Sequence, residues 1–203
     1  MPNLSNMTIG VQRTPRNNLK KLPELSPDAI IGFFDEASPQ TTANTVRRWS
    51  FGRPEIWKNT TKSKANTFGF YALNGVSAVD FLPHSKKEDI CCFMRSIRNA
   101  NPVGRIILIL DNFRSHKARA TVVQAESLDI DLVFLPPYSP DLNPIEYIWK
   151  SVKRVISDKF VKSLEDMRIT ISRSFLDCSS RLSFARSWIA KFLGGISIDR
   201  LGS

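Results

Sequence analysis

Three acidic residues stand beside apolar runs. Asp35 follows the run 29–34, Asp111 follows 105–110, and Glu146 comes just after Asn143-Pro144. Carboxylates are hard oxygen ligands suited to Mg²⁺. If two or three converge on one point, they can hold a pair of divalent ions about 3.5–4 Å apart that clamp the attacking and leaving oxygens in phosphodiester cleavage. In open α/β sheets ligands gather outside the carboxyl ends of strands. Two aspartates closing neighbouring strands would therefore meet at one edge. Each residue also has a plain structural reading. Asp is a common turn former after a strand. Asn143, Pro144 and Glu146 resemble a capping box, with Asn143 as cap, Pro144 at the first helical position and Glu146 answering the cap. Glu36 adjoins Asp35 but should face the other side of a strand. Asp141, in the preceding loop, is the rival for the third ligand.

The elements that must position these residues follow from periodicity. Residues 29–34 form a buried strand. The runs 67–73 and 76–82, joined by Asn74-Gly75, read as a hairpin. In 86–99, Ile90, Phe93, Met94 and Ile97 recur at helical spacing, and Asn101-Pro102 with Gly104 ends that helix. Residues 105–110 are a buried strand, 115–128 a helix with Ala118, Val122, Ala125 and Leu128 on one face, and 131–135 a fifth strand. The loop 136–140 breaks regular structure, and a helix from Asn143-Pro144 runs to about Asp158. Two more amphipathic helices follow. One aligns Leu164, Met167, Ile171 and Phe175; the other carries Ala185, Trp188, Ile189 and Phe192 and stops at Gly194-Gly195. The order β-β-β-α-β-α-β-α with extra helices implies an α/β fold, a mixed sheet with helices on its faces.

With 42% hydrophobic residues among 203, the chain can bury a sizeable core. Residues 1–27 are polar and basic and read as a linker or remnant, 28–195 as one domain, and 196–203 as a tail. The net charge of +10 argues for a polyanionic partner. The first cationic candidate is the stretch 47–64, with Arg47, Arg48, Arg53, Lys58, Lys62 and Lys64 interleaved by Trp49, Phe51 and Trp57. Its cations suit phosphates and its aromatics suit stacking on bases; the alternative is a solvated loop whose tryptophans pack onto the core. The second is Lys150, Lys153 and Arg154, which share a helix face at i, i+3 and i+4. His116 reads as a packing or helix-start residue, with contact to a phosphate or water as the alternative. Asn112 either bonds a ligand carboxylate or caps the next helix. Trp149 and Trp188 read as core.

Three cysteines without a CxxC pair, and only two histidines, argue for neither a zinc site nor a disulfide framework. No run approaches the ~20 apolar residues of a membrane span. The N-terminus lacks the apolar stretch of a signal peptide. A cytoplasmic protein, associated with the nucleoid when on DNA, is the expectation.

Three segments then carry a family likeness. They are Phe33-Phe34-Asp35-Glu36-Ala37-Ser38; Leu110-Asp111-Asn112-Phe113-Arg114-Ser115-His116-Lys117; and the longest, Leu135-Pro136-Pro137-Tyr138-Ser139-Pro140-Asp141-Leu142-Asn143-Pro144-Ile145-Glu146, followed by Trp149 and Lys150. Together they resemble the catalytic motifs of transposases of the insertion sequence 630 and mariner superfamily. Glu146 follows Asp111 by 35 positions (146 − 111), in keeping with that family's spacing. The resemblance implies a ribonuclease H-like fold with a five-stranded mixed sheet. It implies two Mg²⁺ or Mn²⁺ ions held by Asp35, Asp111 and Glu146, with Asp141 as a loop aspartate and not a ligand. It also implies double-stranded DNA as partner: strands are cut at element ends, and the freed 3′-hydroxyl attacks target DNA within a homo-oligomer. Family members carry an N-terminal helix-turn-helix region that nothing before residue 28 matches. The expectation is a catalytic half without its end-recognition domain. The alternatives are a non-catalytic DNA-binding remnant and another ribonuclease H-like nuclease.

Overall fold

Apolar side chains on both faces of the strands require cover on both sides, and the chain supplies it with helices. The computed structural model describes residues 28–42, 51–52, 59–60, 62–137 and 139–193. Among them the order is β1 (Ile30–Ala37), β2 (Thr67–Ala72), β3 (Ala78–Phe81), α1 (Lys87–Ala100), β4 (Ile106–Leu110), α2 (Arg119–Ser127), β5 (Ile130–Phe134), α3 (Ile145–Asp158), α4 (Leu164–Ser179) and α5 (Arg186–Phe192). The five strands form one sheet in the order β3-β2-β1-β4-β5. β1 pairs antiparallel with β2 and parallel with β4, so the sheet is mixed as expected. Its centre is its driest part: every residue of β4 is buried, whereas edge strand β3 is half-buried throughout. No helix of the described residues is long and apolar enough to cross a membrane.

Strand alternation divides the core in two. Phe33, Tyr71, Ile107 and Ile109 face α3, α4 and α5, where Trp149, Phe175 and Trp188 pack. Phe34, Phe68, Phe70 and Leu108 face α1, against Ile90, Phe93 and Ile97. Trp149 and Trp188 are core residues, as read from sequence.

Several local expectations fail for tertiary reasons. Asn74-Gly75 is not a two-residue turn. Pairing stops at Phe70↔Ala78, and Gly75 does not take the positive φ that such turns need. Asn74 instead extends the sheet, accepting from Ile31 N (2.8 Å) and donating to the Ala29 carbonyl (2.9 Å). Gly75 makes room for Asn101, since a Cβ there would lie 2.7 Å from Asn101 Oδ1. The helix expected over 115–128 is two pieces, a 3₁₀ turn at Arg114–Lys117 and then α2. They part at Ala118, whose backbone is extended (φ −61, ψ 141). The Ser115 carbonyl accepts from Thr121 Oγ1 at 2.8 Å, and Thr121 with Ala125 forms the buried face of α2. Leu164 is 41% exposed rather than aligned with the core. It is the first residue of α4, capped by Ser163 Oγ, which accepts from Asp166 N.

Residues 1–27 and 194–203, and with them the linker, the tail and the Gly194-Gly195 stop, lie outside the described residues.

Candidate active site

β1 and β4 run parallel and in register as far as Phe33↔Ile109. Carried two residues on, that register sets Asp35 beside Asp111 at the carboxyl edge of the sheet. Asp111 follows the last residue of β4. Asp35 lies inside β1, which continues to Ala37 because its other edge still pairs with β2. By strand parity both aspartates share the face of Phe33 and Ile109, the face that α3 covers.

Glu146 comes from the first turn of α3. That helix seats closely because Asp35 pairs with Gly69. A Cβ on Gly69 would lie 2.5 Å from Trp149 Cζ2 and 2.7 Å from Phe175 Cε2. The missing side chain therefore lets Trp149, one turn beyond Glu146, rest on the sheet. Asp35, Asp111 and Glu146 line one cleft of about 380 Å³, together with Asn112, Ser139 and Asn143. Asp141 sits exposed on the 3₁₀ turn Pro140–Leu142 and does not line it.

The capping box expected at α3 is not formed. Pro144 occupies the cap position and no side-chain cap bond exists. Glu146 N donates to the Asn143 backbone carbonyl at 3.1 Å. Asn143 lines the cleft, and its Oδ1 is buried without a partner. Asn112 Oδ1 is likewise buried and unpartnered, while Asn112 Nδ2 donates to the Leu135 carbonyl. That bond ties the two loops leaving β4 and β5. It is neither of the roles read for Asn112 from sequence.

Sequence reasoning missed Glu36 and undervalued His116. Glu36 faces the opposite side of the sheet, as strand parity requires. There His116, fully buried, places Nε2 3.2 Å from Glu36 Oε2 and Nδ1 2.8 Å from Asp111 Oδ1. Burial opposes a charge on this ring, but the hydrogen bonds to Asp111 and Glu36 and their negative charges outweigh it, raising its pKa from 6.5 to about 9. The ring is thus an imidazolium between two carboxylates. Asp111 Oδ1 also accepts from Phe113 N at 2.9 Å. Burial works against ionisation of Asp111, yet His116, Phe113 N and Lys117 together hold its pKa below the ordinary value. Asp35 behaves oppositely. Burial first, then the charges of Glu146, Glu36 and Asp111, push its pKa well above the usual carboxylate range. The available signal for His116 was its place five residues after Asp111, but only the 3₁₀ turn shows where it points.

The donor set fits a hard divalent cation. Three carboxylates line one cleft beside two buried, unpartnered amide oxygens, and one carboxylate is frustrated by negative neighbours that a cation would offset. The carboxylates share a cleft rather than a point. No three His, Cys, Asp or Glu side chains among the described residues close around a single position, and Asp111 Oδ1 is already engaged by His116.

Of the cationic candidates, Lys62, Lys64, Lys150, Lys153 and Arg154 are exposed. Lys150 stands one turn beyond Glu146 on α3, and none of the five lines the carboxylate cleft. Arg47, Arg48, Arg53 and Lys58, with Trp49 and Trp57, lie outside the described residues.

This sheet order and this carboxylate edge define a class. A family model described as DDE superfamily endonuclease matches residues 31–168, over half of the chain, and the chain belongs to that superfamily. Membership implies use of a divalent metal. No curated protein matches the chain. Solved structures of Mos1 transposase share its fold. The Mos1 transposase paired-end complex with left transposon end matches at 18% identity and TM-score 0.62, covering 87% of this chain and 59% of that one. The catalytic domain of Mos1 mariner transposase matches at 16% identity and TM-score 0.54, covering 92% and 80%. The Mos1 catalytic domain with Raltegravir and Mg matches at 16% and TM-score 0.57, covering 87% and 90%. This chain therefore spans little over half of the Mos1 chain in the paired-end complex and most of its catalytic domain alone.

Proposed function

We propose that the chain is the catalytic domain of a transposase that cuts DNA strands at element ends and joins the freed 3′-hydroxyl to target DNA. The observation that carries this reading is the meeting of Asp35, Asp111 and Glu146, from two parallel strands and a helix start, in one cleft at the sheet's carboxyl edge. These three residues would hold two Mg²⁺ or Mn²⁺ ions. Bound there, the ions supply the Lewis acidity that activates an attacking water or 3′-hydroxyl and stabilises the leaving oxygen. His116 and Phe113 N fix the Asp111 carboxylate. The reading needs no protein nucleophile. Lys62, Lys64, Lys150, Lys153 and Arg154 contact duplex DNA. Arg47, Arg48, Arg53 and Lys58, which lie outside the described residues, extend that contact, and the working form is a homo-oligomer on DNA.

The test is nicking of supercoiled plasmid by the purified chain in MnCl₂ or MgCl₂, with joining of a 3′-hydroxyl oligonucleotide to plasmid as the second product. Asp35→Asn, Asp111→Asn and Glu146→Gln should each lower both products by at least about 100-fold, the scale on which an electrostatic contact acts in a transition state. Their circular dichroism should be unchanged. Full activity in Glu146→Gln would remove Glu146 from the site. Metal-dependent nicking without joined product would favour another nuclease of this fold.

A further inference from the structure

Two grooves outside the carboxylate cleft meet at Ser85. The larger, about 670 Å³, opens at the same edge of the sheet, between Ser38 after β1 and Leu82–Ser85 after β3. Lys64, His84 and Arg168 line it, and none of its lining residues is acidic. Arg168 is held in place with its guanidinium over the Phe81 ring, 5.6 Å from the centroid; the Glu165 carboxylate is 3.9 Å away and exposed. The second groove, about 590 Å³, is lined by Lys86, Lys87, Arg114 and Lys117, against Glu88 alone. Ser115 Oγ donates to the Ser85 carbonyl at 3.1 Å, which ties the wall of one groove to the wall of the other. Arg114 and Lys117 belong to the 3₁₀ turn that starts three residues after Asp111.

We propose that these grooves form one trough that takes the phosphodiester backbone of duplex DNA beside the carboxylate cleft. Six Lys or Arg side chains in two open grooves suit a polyanion with spaced charges better than a single small anion, which calls for converging donors in a closed pocket. The Ser85 hydroxyl in the wall of the larger groove adds a neutral donor of the kind that contacts phosphates without reading sequence. Lys87 Nζ lies 3.7 Å from Glu88, an exposed pair that a phosphate can displace. Only Lys64 of this set follows from the sequence pattern. His84, Lys86, Lys87, Arg114, Lys117 and Arg168 come from three separate segments that the fold alone assembles. The proposal rests on the endonuclease reading for the choice of DNA as the polyanion, and the geometry of the trough stands apart from the metal site.

The experiment is fluorescence anisotropy of a labelled duplex of arbitrary sequence, in EDTA, between about 50 and 200 mM salt. Three proteins are compared: the full chain; the variant Lys64→Ala, Lys87→Ala, Arg114→Ala; and a variant with equal charge loss on the C-terminal helices, Arg173→Ala, Arg186→Ala, Lys191→Ala. Each phosphate contact contributes about 0.9 to the slope of log K against log salt. The trough variant should bind at least tenfold more weakly at mid-range salt and lose about 2–3 of slope, with the helix variant within about twofold of the full chain. Equal losses in the two variants, or an unchanged slope, would overturn the trough. Because no metal is present, a failure of the carboxylate assignment shows in nicking and not in this measurement.

Discussion

Glu36, His116 and Asp111 form a line of charge that passes through the sheet. The imidazolium compensates two carboxylates while a third, Asp35, remains under strain from its neighbours. This has a consequence for pH in metal-free protein. The pKa of His116 is raised in the fold, so its contribution is complete below 6.5 and disappears as pH climbs through about 9. The displacement corresponds to roughly 3 kcal/mol. The Asp111 contribution, from a lowered pKa, fails only in acid and does not overlap that window. Thermal melts in EDTA should therefore show Tm falling between pH 6.5 and pH 9. His116→Gln, which cannot carry the charge, should be less stable at pH 6 and flat across the same range. A wild-type Tm that is constant over this window would show that the ring is neutral in the fold.

Among the elements, α3 and β2 decide whether Glu146 reaches the cleft. The contact between them depends on one absent side chain. Gly69→Ala would drive a methyl into Trp149 and Phe175. Overpacking of this kind costs typically about 1–3 kcal/mol. The displacement falls on the helix that carries Glu146, so cleavage should drop more than the loss of folded protein explains. Near-ultraviolet circular dichroism of the tryptophans and nicking rates at a temperature where the variant is fully folded would separate the two. Cleavage per folded molecule equal to wild type would show that α3 absorbs the methyl without moving Glu146. Not all of this was hidden in the sequence. β2 to β5 and α1 follow from apolar periodicity within a residue or two, and the start of α3 from Asn143-Pro144; β1 runs three residues past its apolar run because its pairing with β2 continues. The broken helix at Ala118 and the role of Asn74 do not: the first goes with a side-chain bond from Thr121 to the Ser115 carbonyl, the second with a bond to Ile31 on a distant strand.

For the whole molecule the governing quantity is charge. A net +10 opposes compaction and favours polyanionic partners, while the carboxylate edge concentrates negative charge at one end of the sheet. A divalent ion bound there would stabilise the folded state by linkage, since the unfolded chain has no such site. MgCl₂ or MnCl₂ at about 100 times the dissociation constant should add about 2.7 kcal/mol to folding stability. Asp35→Asn should remove that response. It should also raise the Tm of metal-free protein, because it deletes a buried charge that its neighbours repel. Calorimetry with and without EDTA reads both effects. A metal-free Tm lowered by the amide would contradict the strained state of Asp35.

The chain's own order of residues determined the class of fold, the three carboxylates as candidates and the likeness that groups them. Apolar period, turn residues and motif spacing are local properties, and a linear chain displays them. Which carboxylates share a cleft was decided by the register of β1 on β4 and the seat of α3 over Gly69. The same long-range contacts excluded Asp141 from the cleft, enlisted Glu36 and His116, and gathered the cations of the trough. Those depend on side chains from segments far apart, whose directions are set only when the sheet and its two layers of helices close.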